Sequence, residues 1–513
     1  MRLSILLLVL SATATLAGAP LTAASGTSTP ASASGAVTDR SGPRLSRPFA
    51  PCRLTDPSQL NSIEGECATV EIAETDAPGS RRISLSLARI PAVNHKRKGD
   101  PLVILAGGPG MGAQLMYTST AAAFARARRD RDILLLDQRG TGGSAPLNCE
   151  GDLDDPLAGG GTAFDVESFV KLVDTCRDAL AAGHDLRAYT TSRAVRDLDA
   201  VRALLGYEAL NLYAVSYGTR VAQHYARRHP ERVRSMVLDG VVAPGTVLGP
   251  RIALDAQLAL DGTWKRCAAD RSCREAFGDV DGRTRQLQAA LQRQPQRVQI
   301  AHPRTGAIES IDFGAQHLAM VLRFGSYQAS FAAMLPLVVH LAARGDFRPL
   351  ATLYLLTTSS LVEAVAVGMH NSVVCSEDLP RVDAAAVDRK ALEATYMGAS
   401  MFEAIRSSCE KWPRGEVDAD FHAPLAVTVP TLLLSGTLDP VTPPGDADRV
   451  AKSLRNVRHL KLEGAGHGQV DVPCMDRVLA EFFNKADPRA LDTSCLERRR
   501  QMPFWITLAG PSP

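Results

Sequence analysis

The stretch LNLYAVSYGTR, residues 210–220, runs apolar until it meets Ser216, and a glycine follows two residues later. A serine hydroxyl is a poor nucleophile unless a neighbouring base takes its proton. The chemistry therefore turns on which imidazole and which carboxylate can reach it. His467 sits in EGAGHGQ, directly after RHLKLE, so it would ride a glycine-rich loop beyond a strand. Asp439 ends TLLLSGTLDP, again where a strand should stop. A buried carboxylate there would orient the imidazole and stabilise its charged form. Asp446 is a rival acid, but it lies past two prolines where a helix should begin. The residues Ala214-Val215-Ser216-Tyr217-Gly218 fit a nucleophile elbow, G-x-S-x-G between strand and helix, with alanine in place of the first glycine.

Transition-state charge would need donors. Gly107-Gly108-Pro109-Gly110 closes the apolar run PLVILAGG. The N–H groups of Gly108 and Tyr217 are candidates for an oxyanion hole. The run from Asp137 to Ser144, DQRGTGGS, ends the next apolar run and reads as structural support for the floor. Nothing calls for a cofactor or a metal: there is no CxxC, no GxGxxG and no P-loop lysine.

Continuous apolar runs at 101–108, 132–140, 210–215 and 233–242 suit parallel strands covered on both faces. Helical spacing marks 190–205 and 218–229. Alternating stretches after Cys67 predict antiparallel strands. Residues 246–424 read as a mainly helical insertion with few strand candidates. After Pro430 the α/β pattern returns. The expected organisation is therefore a core at 51–245 and 425–513 interrupted by a lid at 246–424. The lid leaves and rejoins so as to cover the C-terminal edge of the sheet, where ligands bind.

Lys plus Arg number 57 and Asp plus Glu 55, so no field favours nucleic acid or an acidic membrane. The opening MRLSILLLVLSATATLAGA has the form of a secretory signal, expected to span 1–24. An Ala-, Ser-, Thr-, Gly- and Pro-rich segment, 25–50, is expected to be loosely held. No later stretch reads as a membrane anchor, which makes the mature chain periplasmic or secreted. The ten cysteines then favour disulfides. Pairing neighbours in sequence gives 52–67, 149–176, 267–273, 375–409 and 474–495.

These motifs resemble the S33 serine peptidases, the prolyl and tripeptidyl aminopeptidases of the α/β-hydrolase superfamily. The resemblance runs from about residue 50 to 507. It rests on GGPG (107–110), DQRGTGGS (137–144), VSYGTR (215–220), SGTLDPVTP (435–443) and GAGHG (464–468). CEKWP (409–413) and the stretch from Cys495 to Phe504 resemble the tripeptidyl branch with its TAP-like C-terminal segment. Ala214 departs from the usual glycine, and Ala106 stands where a histidine is common. The resemblance implies an α/β-hydrolase fold with a mostly parallel central sheet. It also implies a Ser216–Asp439–His467 triad, an oxyanion hole at Gly108 and Tyr217, and an acyl-enzyme intermediate.

An aminopeptidase acting on short peptides with a free N-terminus must read an ammonium group. The resemblance points to an acid in the lid, and VVCSEDLP (373–380) offers Glu377, then Asp378, with Glu403 behind them. An esterase or other acyl hydrolase could use the same triad without that acid. A secreted binding protein with a relic site is the reading from a different class.

Overall fold

A computed structural model describes residues 42–56, 60–149, 166–302 and 306–511. The export signal expected over 1–24, and most of the segment expected to be loose, lie outside these residues. Residues 44–50, expected to be loosely held, instead form the first part of a strand. Compositional bias concealed an edge strand that gains its order from pairing with its neighbour.

That strand, β1 (Arg44–Thr55), runs antiparallel to β2 (Ser62–Ala73), which runs antiparallel to β3 (Arg82–Ile90). Four strands follow: β4 (Leu102–Leu105), β5 (Ile133–Leu136), β6 (Leu210–Val215) and β7 (Val233–Asp239). A separate antiparallel hairpin comes next, β8 (Gln296–Ala301) with β9 (Ile308–Phe313). The chain then returns to the main sheet with β10 (Thr431–Gly436) and β11 (Val457–Leu462). Among the described residues the main sheet has nine strands, in the order β1-β2-β3-β5-β4-β6-β7-β10-β11. From β5 to β11 every pairing is parallel.

Parallel strands must be covered on both faces, and here they are. Leu212, Ala214, Leu238 and Leu433 pack with Val195, Leu198, Val221 and Tyr225 on one side. Their alternate neighbours Tyr213, Val237, Leu432 and Leu434 pack with Phe124, Val478, Phe482 and Phe483 on the other. β4 lies between β5 and β6, so the chain leaves it in one direction and later resumes on its other side. The C-terminal ends of β4 and β6 flank this switch, the place where an open α/β sheet offers a crevice. Ser216 follows one of those ends and Gly107-Gly108 the other.

The insertion builds its own core from Trp264, Leu287, Leu318, Leu322, Leu335, Val338 and Phe402, among others. The β8–β9 hairpin, for which the apolar pattern gave little signal, buries Val298, Ile300, Ile311 and Phe313 in that core. The helix Val367–Glu377 behaves differently. Its Met369, Val373 and Val374 pack into the core beneath the sheet. The insertion is thus sewn into the hydrolase core near its C-terminal end.

All five disulfides join the cysteines expected from sequence neighbourhood, and no cysteine is free. Such bridges persist in oxidising compartments. Among the described residues no helix is long and apolar enough to cross a membrane.

Candidate active site

β6 ends at Val215 and the helix Tyr217–Arg228 begins at the next residue but one. Ser216 alone makes the turn, with φ 55° and ψ −127°. A positive φ at a residue other than glycine is strained and persists only when its surroundings enforce it. Here the Ser216 N–H donates to the Asp239 carbonyl at 2.9 Å. Its own carbonyl accepts from the Thr219 N–H at 2.9 Å and the Thr219 hydroxyl at 2.6 Å. The helix starts pressed against β4: a Cβ on Gly218 would collide with the carbonyls of Leu105 and Ala106. The first glycine of the motif is less constrained, because Ala214 lies within the strand and faces the packed core.

The Gly107-Gly108 turn lies beside the serine. A Cβ built on Gly107 would stand 3.1 Å from that of Ser216. Neither the Gly108 nor the Tyr217 N–H has a hydrogen-bond acceptor among the described residues. Tyr217 opens a helix, where free N–H groups are expected. Its side chain is pinned from below: the hydroxyl pairs with Thr191 Oγ1 at 2.7 Å and accepts from Gln138 Nε2 at 3.0 Å. DQRGTGGS supports this floor. The Asp137 carboxylate accepts from the N–H groups of Gln114 and Gly143, both at 3.0 Å. Arg139 forks onto Asp197 at 2.6 and 2.8 Å.

His467 Nδ1 meets Asp439 Oδ2 at 2.8 Å. Asp439 is itself held by three donors: the N–H groups of Val441 and Thr442 on Oδ1 at 2.8 and 2.9 Å, and the Thr442 hydroxyl on Oδ2 at 2.8 Å. Burial pulls the His467 imidazole toward neutrality. The charge of Asp439, its hydrogen bond and the charge of Asp239 outweigh that and hold the pKa above the ordinary histidine value. Ser216 Oγ makes no hydrogen bond to His467. The two side chains face one cavity, and such contacts often tighten only around bound substrate.

Three participants escaped sequence reasoning. Asp239 ends β7 fully buried. Its Oδ2 accepts the Tyr213 hydroxyl and the Gln469 N–H, both at 2.7 Å, fixing the backbone two residues past His467. Burial pushes its carboxyl up to about 6. The aspartate in VLDGVV, at the end of an apolar strand next to the nucleophile strand, was the signal that could have found it. Thr442 was visible in LDPVTP. Tyr327 was not, because it comes from the insertion. Its carbonyl accepts the His467 N–H at 2.7 Å, and its ring meets the imidazole edge-on with centroids 5.4 Å apart. Gly466 is glycine because a Cβ there would run into that same carbonyl.

The cavity measures about 1140 Å³. Gly107, Gly108, Ser216 and His467 line its base; Arg323, Tyr327, His370 and Met397 reach it from the insertion. The acids expected to read an amine are not there. Glu377 and Asp378 are fully buried and turned toward the nucleophile helix. Arg220 forks onto Asp378 with two bonds of 2.9 Å. Glu377 accepts from the Thr191 N–H at 2.6 Å and the Thr191 hydroxyl at 3.0 Å, and contacts Arg220 at 3.4 Å. Burial drives the Glu377 carboxyl up to about 7 against the pull of Arg220. The pair clamps the insertion to the helix behind Ser216. Arg220 in VSYGTR was the overlooked signal, since a guanidinium in a buried helix demands carboxylates. Glu403 pairs with Arg389 and Arg406 at 2.9 and 2.8 Å. Asp446 binds Thr246 and Arg251 at 3.0 and 3.2 Å and takes no part in the His467 network. The acids that do line the cavity are Asp255, paired with Arg251 at 3.0 Å, and Asp471, which has no hydrogen bond or ion pair among the described residues.

A strained serine, an imidazole with a carboxylate behind it, and free N–H groups at a strand–helix corner can together perform acyl transfer. Comparison with known proteins agrees. A family model described as alpha/beta hydrolase fold matches residues 100–305, and one described as TAP-like protein matches 394–495. The chain belongs to the α/β-hydrolase superfamily, and its relatives fit the S33 peptidase branch. Serine protease Hip1 of Mycobacterium tuberculosis is 27% identical over 475 residues, covering 86% of this chain and 89% of the relative. Tripeptidyl aminopeptidase of Streptomyces lividans is 33% identical over 204 residues, 37% of each chain. Among solved structures, a proline iminopeptidase of Mycobacterium smegmatis is 17% identical with a TM-score of 0.36, covering 80% of this chain and 97% of that one.

Proposed function

We propose that the protein is an exported serine aminopeptidase that releases N-terminal residues or tripeptides from short peptides. In this reading Ser216 Oγ attacks the scissile carbonyl while His467 Nε2 takes the hydroxyl proton. The N–H groups of Gly108 and Tyr217 hold the oxyanion. His467 returns the proton to the leaving amine, and water then cleaves the acyl-enzyme by the same path reversed. Asp439 fixes the imidazole tautomer and balances its charge. The observation that carries the reading is the joint presence of Ser216, His467 and the unpaired Asp471 around one roofed cavity. Asp471 replaces Glu377 and Asp378 as the reader of the substrate ammonium. Asp471 is exposed to solvent at the cavity lining, and partial desolvation there raises its carboxyl, an effect that an incoming ammonium would offset. The relatives named as serine protease and tripeptidyl aminopeptidase support the same class.

The test compares free-amine and N-acetylated peptide amides, alongside short-chain esters. A charge-assisted hydrogen bond of about 1.5–3 kcal/mol predicts a preference of about 10- to 100-fold for the free amine. Asp471→Asn should narrow the gap. Equal cleavage of both forms would replace the aminopeptidase by a general acyl hydrolase. Failure of an organophosphonate to label Ser216 would reject the nucleophile itself.

A further inference from the structure

The cavity wall carries a charge that the proposed reaction does not use. Arg323 lies on the helix Ala315–Gly325 of the insertion, and only 7% of its surface is exposed. It lines the cavity and forms no ion pair among the described residues. Its polar contacts are weak: Nη2 to the Tyr327 hydroxyl at 3.4 Å and Nη1 to Met397 Sδ at 4.0 Å. The guanidinium stands 5.8 Å from the centre of the Tyr327 ring. A cation–π contact at that range is small beside the cost of taking a guanidinium out of water. Other buried arginines of this chain show what the group ordinarily requires. Arg139 forks onto Asp197, and Arg220 onto Asp378. Arg323 has the same fork and no carboxylate in it. Nearby charges do not supply one. Asp255 is taken by Arg251, while Arg499 and Arg500 add positive charge to the lining.

Its place in the site indicates which part of a substrate it would meet. Arg323 touches Tyr327, and Tyr327 holds His467 through its carbonyl and its ring. His467 hands its proton to the leaving amine, so the leaving fragment lies on the imidazole side of the scissile bond. We infer that Arg323 binds a carboxylate on the leaving side, and that this carboxylate is the C-terminus of a short peptide. The inference rests on the peptidase reading above. It adds a substrate class: peptides short enough for both ends to lie in the cavity, the ammonium toward Asp471 and the carboxylate in the Arg323 fork. A planar guanidinium is suited to such a bidentate partner.

Three matched peptides test this: a free acid, its C-terminal amide, and the amide with glutamate as its last residue. Binding to Ser216→Ala protein by calorimetry separates recognition from turnover, so a failure of the catalytic reading leaves this assignment still measurable. The free acid should bind about 10- to 100-fold more tightly than the amide, as for a hydrogen-bonded ion pair. In the active enzyme the kcat/KM ratio of acid to amide should show the same preference. Adding Arg323→Gln should bring the ratio close to one, and Arg323→Lys should leave an intermediate value. Equal binding of acid and amide overturns the proposal, as does an acid preference that survives Arg323→Gln. A gain seen only for the glutamate-bearing amide overturns the C-terminal assignment. Should Arg323→Gln fail to fold, the acid-to-amide ratio of the Ser216→Ala protein decides alone.

Discussion

Replacing Asp439 by asparagine should cost far more than its small change in shape suggests. Asp439 Oδ1 accepts two backbone N–H groups, from Val441 and Thr442, at 2.8 and 2.9 Å. The amide oxygen of an asparagine must therefore take the Oδ1 place, which puts its NH2 at the Oδ2 place. That position faces His467 Nδ1 and the Thr442 hydroxyl, both at 2.8 Å. An NH2 group only donates, so Nδ1 becomes the acceptor and the ring proton moves to Nε2. Nε2 then cannot take the proton of Ser216. The same exchange in a Ser-His-Asp triad costs on the order of 10⁴-fold in kcat, or about 5.5 kcal/mol of transition-state stabilisation. A second readout follows from charge. His467 titrates above the ordinary histidine value because Asp439 outweighs burial. Catalysis needs the neutral ring, so wild-type kcat/KM rises with pH through that elevated pKa. In Asp439→Asn the acid limb should move to lower pH. Stopped-flow acylation by a tripeptidyl chromogenic amide, followed across pH, measures both. A loss smaller than about tenfold, or an unmoved acid limb, would mean that another carboxylate orients His467 and that the tautomer argument is wrong.

Asp378→Asn should destabilise the fold by about 3–5 kcal/mol, because it removes the buried carboxylate that Arg220 forks onto and leaves only the longer contact with Glu377; non-reducing urea unfolding measures this, and the free-amine preference should persist in whatever protein folds. Gly218→Ala should lower both stability and acylation rate, since its Cβ would collide with the carbonyls of β4, whereas Ala214→Gly should fold and keep its acylation rate. That second variant should lose roughly 0.5–1 kcal/mol for a strand-interior glycine, read in the same urea titration. Alkylation and intact mass should show ten thiols only after reduction, and labelling of native protein would contradict the five bridges. Removing the Cys375–Cys409 bridge should cost about 2–5 kcal/mol, again read from the unfolding midpoint.

The sheet was legible because parallel strands leave a plain trace: apolar runs of a few residues that end on glycine or on a polar residue. β4, β6, β7 and β10 fall where those runs fall. The candidate triad was legible for the same reason, since each member sits just past a strand end and needs only local sequence to be placed there. β1 was partly hidden by composition, and β8 and β9 by weak patterning, because hairpins and edges draw their order from pairing. Glu377 and Asp378 were misplaced on physical grounds that can be named. Two adjacent acids in a lid look the same in sequence whether they face a cavity or an arginine. What decides is the path of the helix Val367–Glu377, whose Met369, Val373 and Val374 dive into the core and carry the acids to Arg220. Asp471 shows the converse. Four residues past His467, it reads as an unremarkable loop acid, and only the cavity gives it meaning.

That path also changes what the insertion does. A detachable lid would affect substrate access and leave the catalytic groups untouched. Here the Tyr327 carbonyl takes the His467 N–H, Gly466 is cut to fit beneath it, and the Tyr327 ring stands against the imidazole. On the opposite side, Glu377 and Thr191 form the chain of bonds that ends on the Tyr217 hydroxyl. Tyr217, the residue proposed to offer an oxyanion-hole N–H, is therefore braced by the insertion as well. Both the candidate base and the candidate oxyanion donor are held in part by a segment that the apolar pattern marks only as a cover. A charge such as Arg323, carried by that same segment and joined to His467 through Tyr327, is consequently placed by the contacts that place the catalytic groups. On the proposal above, specificity for a peptide's far end and the alignment of His467 rest on one stretch of the insertion, the helix Ala315–Gly325 and the turn that follows it.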